Sequence, residues 1–185
     1  AVLQPAGSGN SIKIAYGEPR FRKNSSTVTA GLTVQEFPWQ HVHFVGIGGV
    51  GMYGLAIILC ERGVEVSGSD AAESANLHRL RSRGARVTAG HAAENVAGAD
   101  LVVYSSAVPE ENPERRAAAE AGIPSLRRGE FLARLAQTYD RVIAVAGSHG
   151  KTTTTAMIAH ILRRCGQNPA FLVGGDVNGW PAPAG

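Results

Sequence analysis

Twice in this 185-residue chain a short apolar run empties into a glycine-rich turn and then into a helix-forming stretch. The first is Val42-His43-Phe44-Val45 before Gly46-Ile47-Gly48-Gly49-Val50-Gly51, and the second is Val142-Ile143-Ala144-Val145 before Ala146-Gly147-Ser148-His149-Gly150-Lys151-Thr152. A continuous apolar strand running into a helix is buried on both faces, which is the condition of a strand in a parallel sheet. From His41 onward strands and helices alternate, so the expected fold is α/β: a Rossmann-like parallel sheet domain followed by the start of a P-loop α/β domain.

The spacing predicts strands at 42–45, 64–68, 86–88 and 101–104, and helices over 50–62, 73–83, 112–121 and 131–137. Gly63, Gly84 and Gly122 act as helix stops, and Asn112-Pro113 as a helix start with Asn as the cap. The rhythm then restarts with a strand at 141–146, a helix over 152–164 ended by Gly166, and a strand at 170–173 before Gly174-Gly175-Asp176 and a Pro/Gly tail. One strand-helix-strand unit cannot cover its own sheet. The reading is therefore a nucleotide-binding domain over 41–139 and, over 140–185, the opening of a second domain with apolar surface left to associate.

The first turn has the G-x-G-x-x-G pattern. Glycine allows close backbone approach, and the following helix offers unpaired N–H groups to a diphosphate. Asp70 lies at the end of the next strand, where a carboxylate can accept hydrogen bonds from a ribose. The diphosphate contacts would come from Gly46, Gly48, Gly49, Val50 and Gly51. The pattern indicates a nucleoside diphosphate without specifying NAD, and a tight turn with no ligand remains the plain alternative. His91, Ser105 and Ser106 follow strand ends on the same side of the sheet, as further ligand contacts or as turn caps.

The second turn is a shortened P-loop, since Val145 stands where the usual pattern has its first glycine. Gly147, Ser148, His149, Gly150 and Thr153 can surround phosphates with backbone N–H groups. Lys151 adds a compact positive charge, and the Thr152 hydroxyl can reach Mg²⁺. These residues are the candidate ATP site, with Lys151 and Thr152 the candidate catalytic pair and Thr152 the candidate metal ligand. The chain has fifteen arginines and three lysines, and beyond Asn24 the one lysine is Lys151. An ammonium at that position is a choice a guanidinium does not satisfy. His149 either touches a phosphate or only shapes the loop.

Composition narrows the remaining classes. Charged residues are 18% and the net charge is +3, of which +2 lies before His41. That distribution argues against a nucleic-acid binder, which concentrates basic charge on its folded face. No apolar stretch spans a bilayer and no secretory leader is recognisable, so a cytoplasmic protein away from membranes is expected. Cys60 and Cys165 match no metal or redox spacing and read as buried free thiols. His41 and His43 alternate on one strand and read as packing or surface residues, because two ligands make a poor metal site. The arginine pairs 115/116, 127/128 and 163/164 read as solvated faces or helix ends. The first 40 residues read as an extension, partly flexible or added, with a short strand at 12–16 and weak alternation over 25–33.

The combination resembles the Mur ligases of bacterial peptidoglycan synthesis. The residues that carry the resemblance are Phe44 to Met52, Ser67-Gly68-Ser69-Asp70, Val103-Tyr104-Ser105-Ser106-Ala107 and Ala146 to Thr154. Within the family they are most similar to the member that adds the first amino acid. Tyr53 stands where the family usually has Ser, with the expectation that it narrows a pocket mouth, and Ser148 stands where Thr is usual.

The resemblance implies an ATP- and Mg²⁺-dependent enzyme of three domains that joins L-alanine to UDP-N-acetylmuramate through an acyl phosphate. It also implies that Asp70, His91 and Ser106 lie near the ribose or uracil. On that reading this chain would hold the UDP portion and the phosphate end of the ATP site, and would not ligate alone. A nicotinamide-dependent oxidoreductase, a P-loop NTPase with a regulatory nucleotide domain and a non-catalytic UDP-sugar sensor are the competing readings.

Overall fold

The structure, a computed structural model, describes residues 12–16 and 37–173. The expected strand at 12–16 is β1 (Ile12–Tyr16). Then come β2 (His41–Val45), α1 (Val50–Glu61), β3 (Glu65–Asp70), α2 (Ala75–Arg81), β4 (Arg86–Ala89), a 3₁₀ turn (Ala93–Val96), β5 (Leu101–Tyr104), α3 (Pro113–Glu120), β6 (Ser125–Arg127), α4 (Arg128–Ala136), β7 (Arg141–Val145), α5 (Lys151–Arg164) and β8 (Ala170–Phe171). The weak alternation over 25–33 and the tail from Gly174 lie outside the described residues.

Five strands form one parallel sheet in the order β4-β3-β2-β5-β6. The order reverses beside β2, so the crevice at the carboxyl ends of β2 and β5 is the switch point where ligands of such sheets bind. Alternation along β2 assigns its residues to two faces. Val42 and Phe44 pack with Leu55, Leu77 and Phe131 from α1, α2 and α4. Val45 packs on the opposite face with Val96, Val102 and Ala118, beneath the 3₁₀ turn and α3. Helix α1 is buried from Met52 through Leu59, which explains why its residues are apolar almost all round.

The Asn112 cap acts as read, and Ser74 caps α2, which starts at Ala75 rather than Glu73. Asn112 Oδ1 accepts from the amides of Glu114 (2.9 Å) and Arg115 (3.3 Å). Ser74 Oγ accepts from Leu77 N at 3.4 Å. Two further elements differ from expectation. Strand β6 was not read, and α4 starts at Arg128, ahead of the apolar periodicity. Its start is set by Glu130, whose Oε2 accepts the Arg127 amide at 3.0 Å, and polar capping of that kind leaves no apolar signal.

A second sheet has the order β7-β1-β8, with β1 antiparallel to both neighbours. Ile12–Tyr16, read as part of a loose extension, therefore fills the slot between two parallel strands that their own connection leaves unpaired. Val142, Met157 and Ile161 remain exposed at 41%, 60% and 58%. Among the cysteines, Cys60 is half-buried, and burial raises its pKa. Cys165 is exposed, against expectation, because it caps the C-terminus of α5.

Candidate functional site

The first glycine turn is built by the ends of β2 and β3. The amides of Gly46 and Ile47 both donate to the Ser69 carbonyl, at 2.8 and 2.9 Å. Gly46 takes φ +80°, a left-handed conformation that favours glycine. The Gly48 amide donates to Asp70 Oδ2 at 2.8 Å, and its carbonyl accepts from Asn76 Nδ2 at 2.8 Å. A Cβ on Gly48 would stand 2.9 Å from both Asp70 Oδ2 and Leu77 Cδ1, so a side chain has no room there.

Asp70, expected at a ribose, thus spends one oxygen on the turn itself. Gly49 caps α1, with its carbonyl accepting from Met52 N and Tyr53 N. The amides of Val50 and Gly51 are left without an acceptor among the described residues, at the positive end of a twelve-residue helix. Of the five turn residues named from sequence, these two have the open donors.

A cation missed in the sequence stands at the same place. The Arg128 Nη1 lies 3.1 Å from where a Gly51 Cβ would be, and the guanidinium has no acidic partner among the described residues. An arginine over the positive end of a helix is electrostatically unfavourable until an anion joins both. The sequence offered no signal for it, because the approach depends on α4 packing against α1. The Arg115 guanidinium is likewise not merely solvated. It stacks on the Tyr104 ring at 4.1 Å and donates to the Val108 carbonyl.

Ser105 donates its amide to Val45 O (3.1 Å) and lies against Gly46, while Ser106 is exposed. His91, just beyond β4, turns Nδ1 inward to Ser69 Oγ at 2.8 Å and Glu114 Oε2 at 3.2 Å. The structure thus gathers Gly46–Gly51, Asp70, His91 and Ser105 at one end of the five-stranded sheet. Tyr53 is not at a mouth. It is 3% exposed, packed in the core, with its hydroxyl unpartnered.

Glu114 is wholly buried under this end and was not singled out in the sequence. It accepts from Ser69 Oγ at 2.5 Å, from Asn95 Nδ2 at 2.5 Å and from Ala92 N at 3.4 Å. Burial is the largest influence and pushes its carboxyl up. The nearby His43 together with the bonds from Ser69 and Asn95 outweighs it and holds the pKa at about 2. His43 Nε2 stands 3.7 Å from Oε2, beyond hydrogen-bond distance. His41 Nε2 and His43 Nδ1 share Ser67 Oγ at 2.7 and 2.8 Å, and both side chains are buried, so of the packing and surface roles the two histidines have the first.

The second turn belongs to the other sheet. Gly150 takes φ +75° and caps α5, and the Thr154 amide donates to its carbonyl at 2.9 Å. Lys151 Nζ folds over the turn and donates to the carbonyls of Gly147 (2.6 Å) and Ser148 (3.2 Å). Ser148, His149, Gly150, Thr152 and Thr153 are exposed, and the amides of the first turn of α5 point out of its N-terminus. This donor set fits a polyphosphate, and the exposed Thr152 hydroxyl fits one oxygen ligand of a Mg²⁺ that keeps most of its water. Among the described residues no group of three or more His, Cys, Asp or Glu side chains could hold a metal.

The model of the Mur ligase family, catalytic domain, matches residues 41–140, more than half of the chain. The chain belongs to the Mur ligase family. UDP-N-acetylmuramate–L-alanine ligases are among its relatives. That of Renibacterium salmoninarum is 58% identical over 136 residues, covering 74% of this chain and 29% of that protein. That of Syntrophobacter fumaroxidans is 52% identical over 143 residues, covering 77% and 30%.

Among solved Mur ligases, the UDP-N-acetylmuramate–alanine ligase of Thermotoga maritima superposes with a TM-score of 0.66 at 31% identity, covering 78% of this chain and 34% of that one. The UDP-N-acetylmuramate:L-alanyl-gamma-D-glutamyl-meso-diaminopimelate ligase of Neisseria meningitides gives 0.65 at 29%, covering 80% and 46%. This Mur ligase chain spans about 30% of the length of the curated relatives it matches. No described helix is long and apolar enough to cross a membrane.

Proposed function

We propose that the chain is the N-terminal part of an ATP-dependent ligase that joins L-alanine to UDP-N-acetylmuramate. Residues 41–139 hold the UDP portion, and residues 140–185 open the ATP-binding domain. The carrying observation is that one Mur ligase chain presents two separate glycine turns with donors to spare, one over Val50 and Gly51 and one around Lys151. The first suits a diphosphate that Arg128 also faces. The second suits the polyphosphate of ATP, a co-substrate that fits a cytoplasmic enzyme.

The chemistry asks little covalent work of these residues. A carboxylate is a poor electrophile until it carries a phosphate leaving group. The muramate carboxylate takes the γ-phosphoryl of ATP, the alanine amine attacks the acyl phosphate, and phosphate leaves. Lys151 exchanges its two carbonyl partners for phosphate oxygens, and the turn amides hold the polyphosphate in place. Mg²⁺, when bound, offsets charge on the transferring phosphoryl, with Thr152 as its ligand from this chain.

The 185-residue chain binds both nucleotides without joining L-alanine to UDP-N-acetylmuramate, and self-associates through the exposed Val142, Met157 and Ile161. Calorimetric titration of ATP with Mg²⁺ into the chain and into Lys151→Ala tests this. Saturable binding lost about a hundredfold in the variant is expected, from removal of a charge-assisted contact of about 2–3 kcal/mol. Equal binding to both proteins, or alanine-dependent release of ADP by the chain alone, would refute it.

A further inference from the structure

The sheet that carries the Lys151 turn is held together by a strand from elsewhere in the sequence. β7 leads into the turn and β8 follows α5, yet the two are not neighbours. Adjacent strands lie about 4.8 Å apart, so β7 and β8 stand about 10 Å from one another, with one strand's width between them. β1 occupies that width and is antiparallel to both. Among the described residues neither β7 nor β8 has any other strand partner. Without β1 the backbone N–H and C=O groups of both strands lose their ladder bonds.

The register ties this strand to the nucleotide turn. Ile12 lies opposite Val145, the last residue of β7, and Ala146 opens the turn. Ile14 lies opposite Ile143 on one side and Phe171 on the other. Phe171 is fully buried and clusters with Ile158, Ala159 and Leu162 of α5, and Ile143 joins the same cluster. Helix α5 packs across β1 as well as β7, with Thr155 and Ala159 buried. The inner face of α5 therefore rests on a sheet that exists only while β1 is seated. The N-terminus of that helix carries the amides and the Lys151 ammonium that would meet a polyphosphate.

β1 is not part of the β7-α5-β8 unit. It runs in the opposite direction, and the whole five-stranded domain separates it from β7 in sequence. This is strand addition, in which an extended segment completes a sheet through main-chain hydrogen bonds and joins or leaves it as a unit. We propose that the slot between β7 and β8 is a strand-addition site, and that Ile12–Tyr16 governs nucleotide binding through it. Seated, the strand fixes β7 and α5 and sets the Lys151 turn for ATP. Withdrawn, it leaves the turn without a common sheet beneath it and without nucleotide affinity. This rests on the ATP reading of that turn given above.

The test compares the 185-residue chain with its Ile14→Pro variant, by calorimetric titration of ATP with Mg²⁺ and by hydrogen exchange over 141–145 and, as an internal control, over 41–45. In a central strand each N–H faces one neighbour or the other, so proline at 14 removes a ladder bond whichever way that N–H points. Ile14→Pro is expected to speed exchange over 141–145 about tenfold or more, leave 41–45 unchanged, and weaken ATP binding about tenfold or more. A peptide of residues 10–18 added to the variant should restore affinity to within about threefold of wild type, and a scrambled peptide should not. If Ile14→Pro also loses protection over 41–45, Ile14→Gly takes its place. It keeps the N–H and weakens only the strand, with the same signs and smaller changes. Unchanged exchange over 141–145, wild-type ATP affinity despite faster exchange, or no rescue by the peptide overturns the inference and leaves the ATP reading intact. A wild-type chain that binds no ATP refutes both.

Discussion

Replacing Glu114 with Gln should flatten the acid limb of the stability curve. The carboxyl lies at about 2 in the folded chain against an ordinary 4.5. Each unit is worth about 1.4 kcal/mol, so the carboxylate contributes on the order of 3 kcal/mol. The sign follows from the direction of the shift. A depressed folded pKa means that the unfolded chain binds the proton first as pH falls. The contribution is fully present above about 4.5 and is lost as pH falls toward 2.

Urea unfolding followed by circular dichroism, at steps from pH 6 to pH 3, gives the comparison. Other carboxylates titrate in both proteins and cancel in the difference. Wild type should lose about 2 kcal/mol more than Glu114→Gln over that range, because pH 3 covers only part of the interval. Parallel curves would mean that Glu114 is not held as a carboxylate by Ser69, Asn95 and His43.

Two glycines three bonds apart along the backbone should respond oppositely to alanine. Gly48→Ala drives a methyl into Asp70 and Leu77 and should weaken UDP-N-acetylmuramate binding at least tenfold by calorimetry. Gly49→Ala, at φ −63° with its nearest neighbour at 3.5 Å, should bind within about threefold of wild type. The double variant Met157→Lys and Ile161→Lys places charge on the exposed face of α5 and should yield a monomer by analytical ultracentrifugation, where wild type is expected to associate.

The alternation of strands and helices from His41 was legible because a sheet buried on both faces needs apolar runs. The glycine turns were legible because each carries a fixed spacing. Strand β6 and the start of α4 were not, since three short half-exposed residues and a polar capping box leave no periodic signal. At the site, sequence found the residues on the turns and missed those that approach from elsewhere. Arg128 reaches Gly51 from a helix about eighty residues away, and Glu114 reads as an ordinary first-turn acid of α3 until the fold buries it against Ser69. Asp70 was found for its position, yet one of its oxygens serves Gly48. Pairing of Ile12–Tyr16 with β7 and β8 was invisible for the same reason, because a strand's partner is a property of topology.

On the proposed function, the first turn binds a UDP-sugar diphosphate and Arg128 closes on it. Titration of UDP-N-acetylmuramate into the chain, with NADH in a parallel cell and Arg128→Ala as the control, tests it most directly. Saturable one-to-one binding of the UDP-sugar, weakened about tenfold or more in Arg128→Ala and absent with NADH, is the predicted result. Binding of NADH with no response to the UDP-sugar, or UDP-sugar binding indifferent to Arg128, would contradict it.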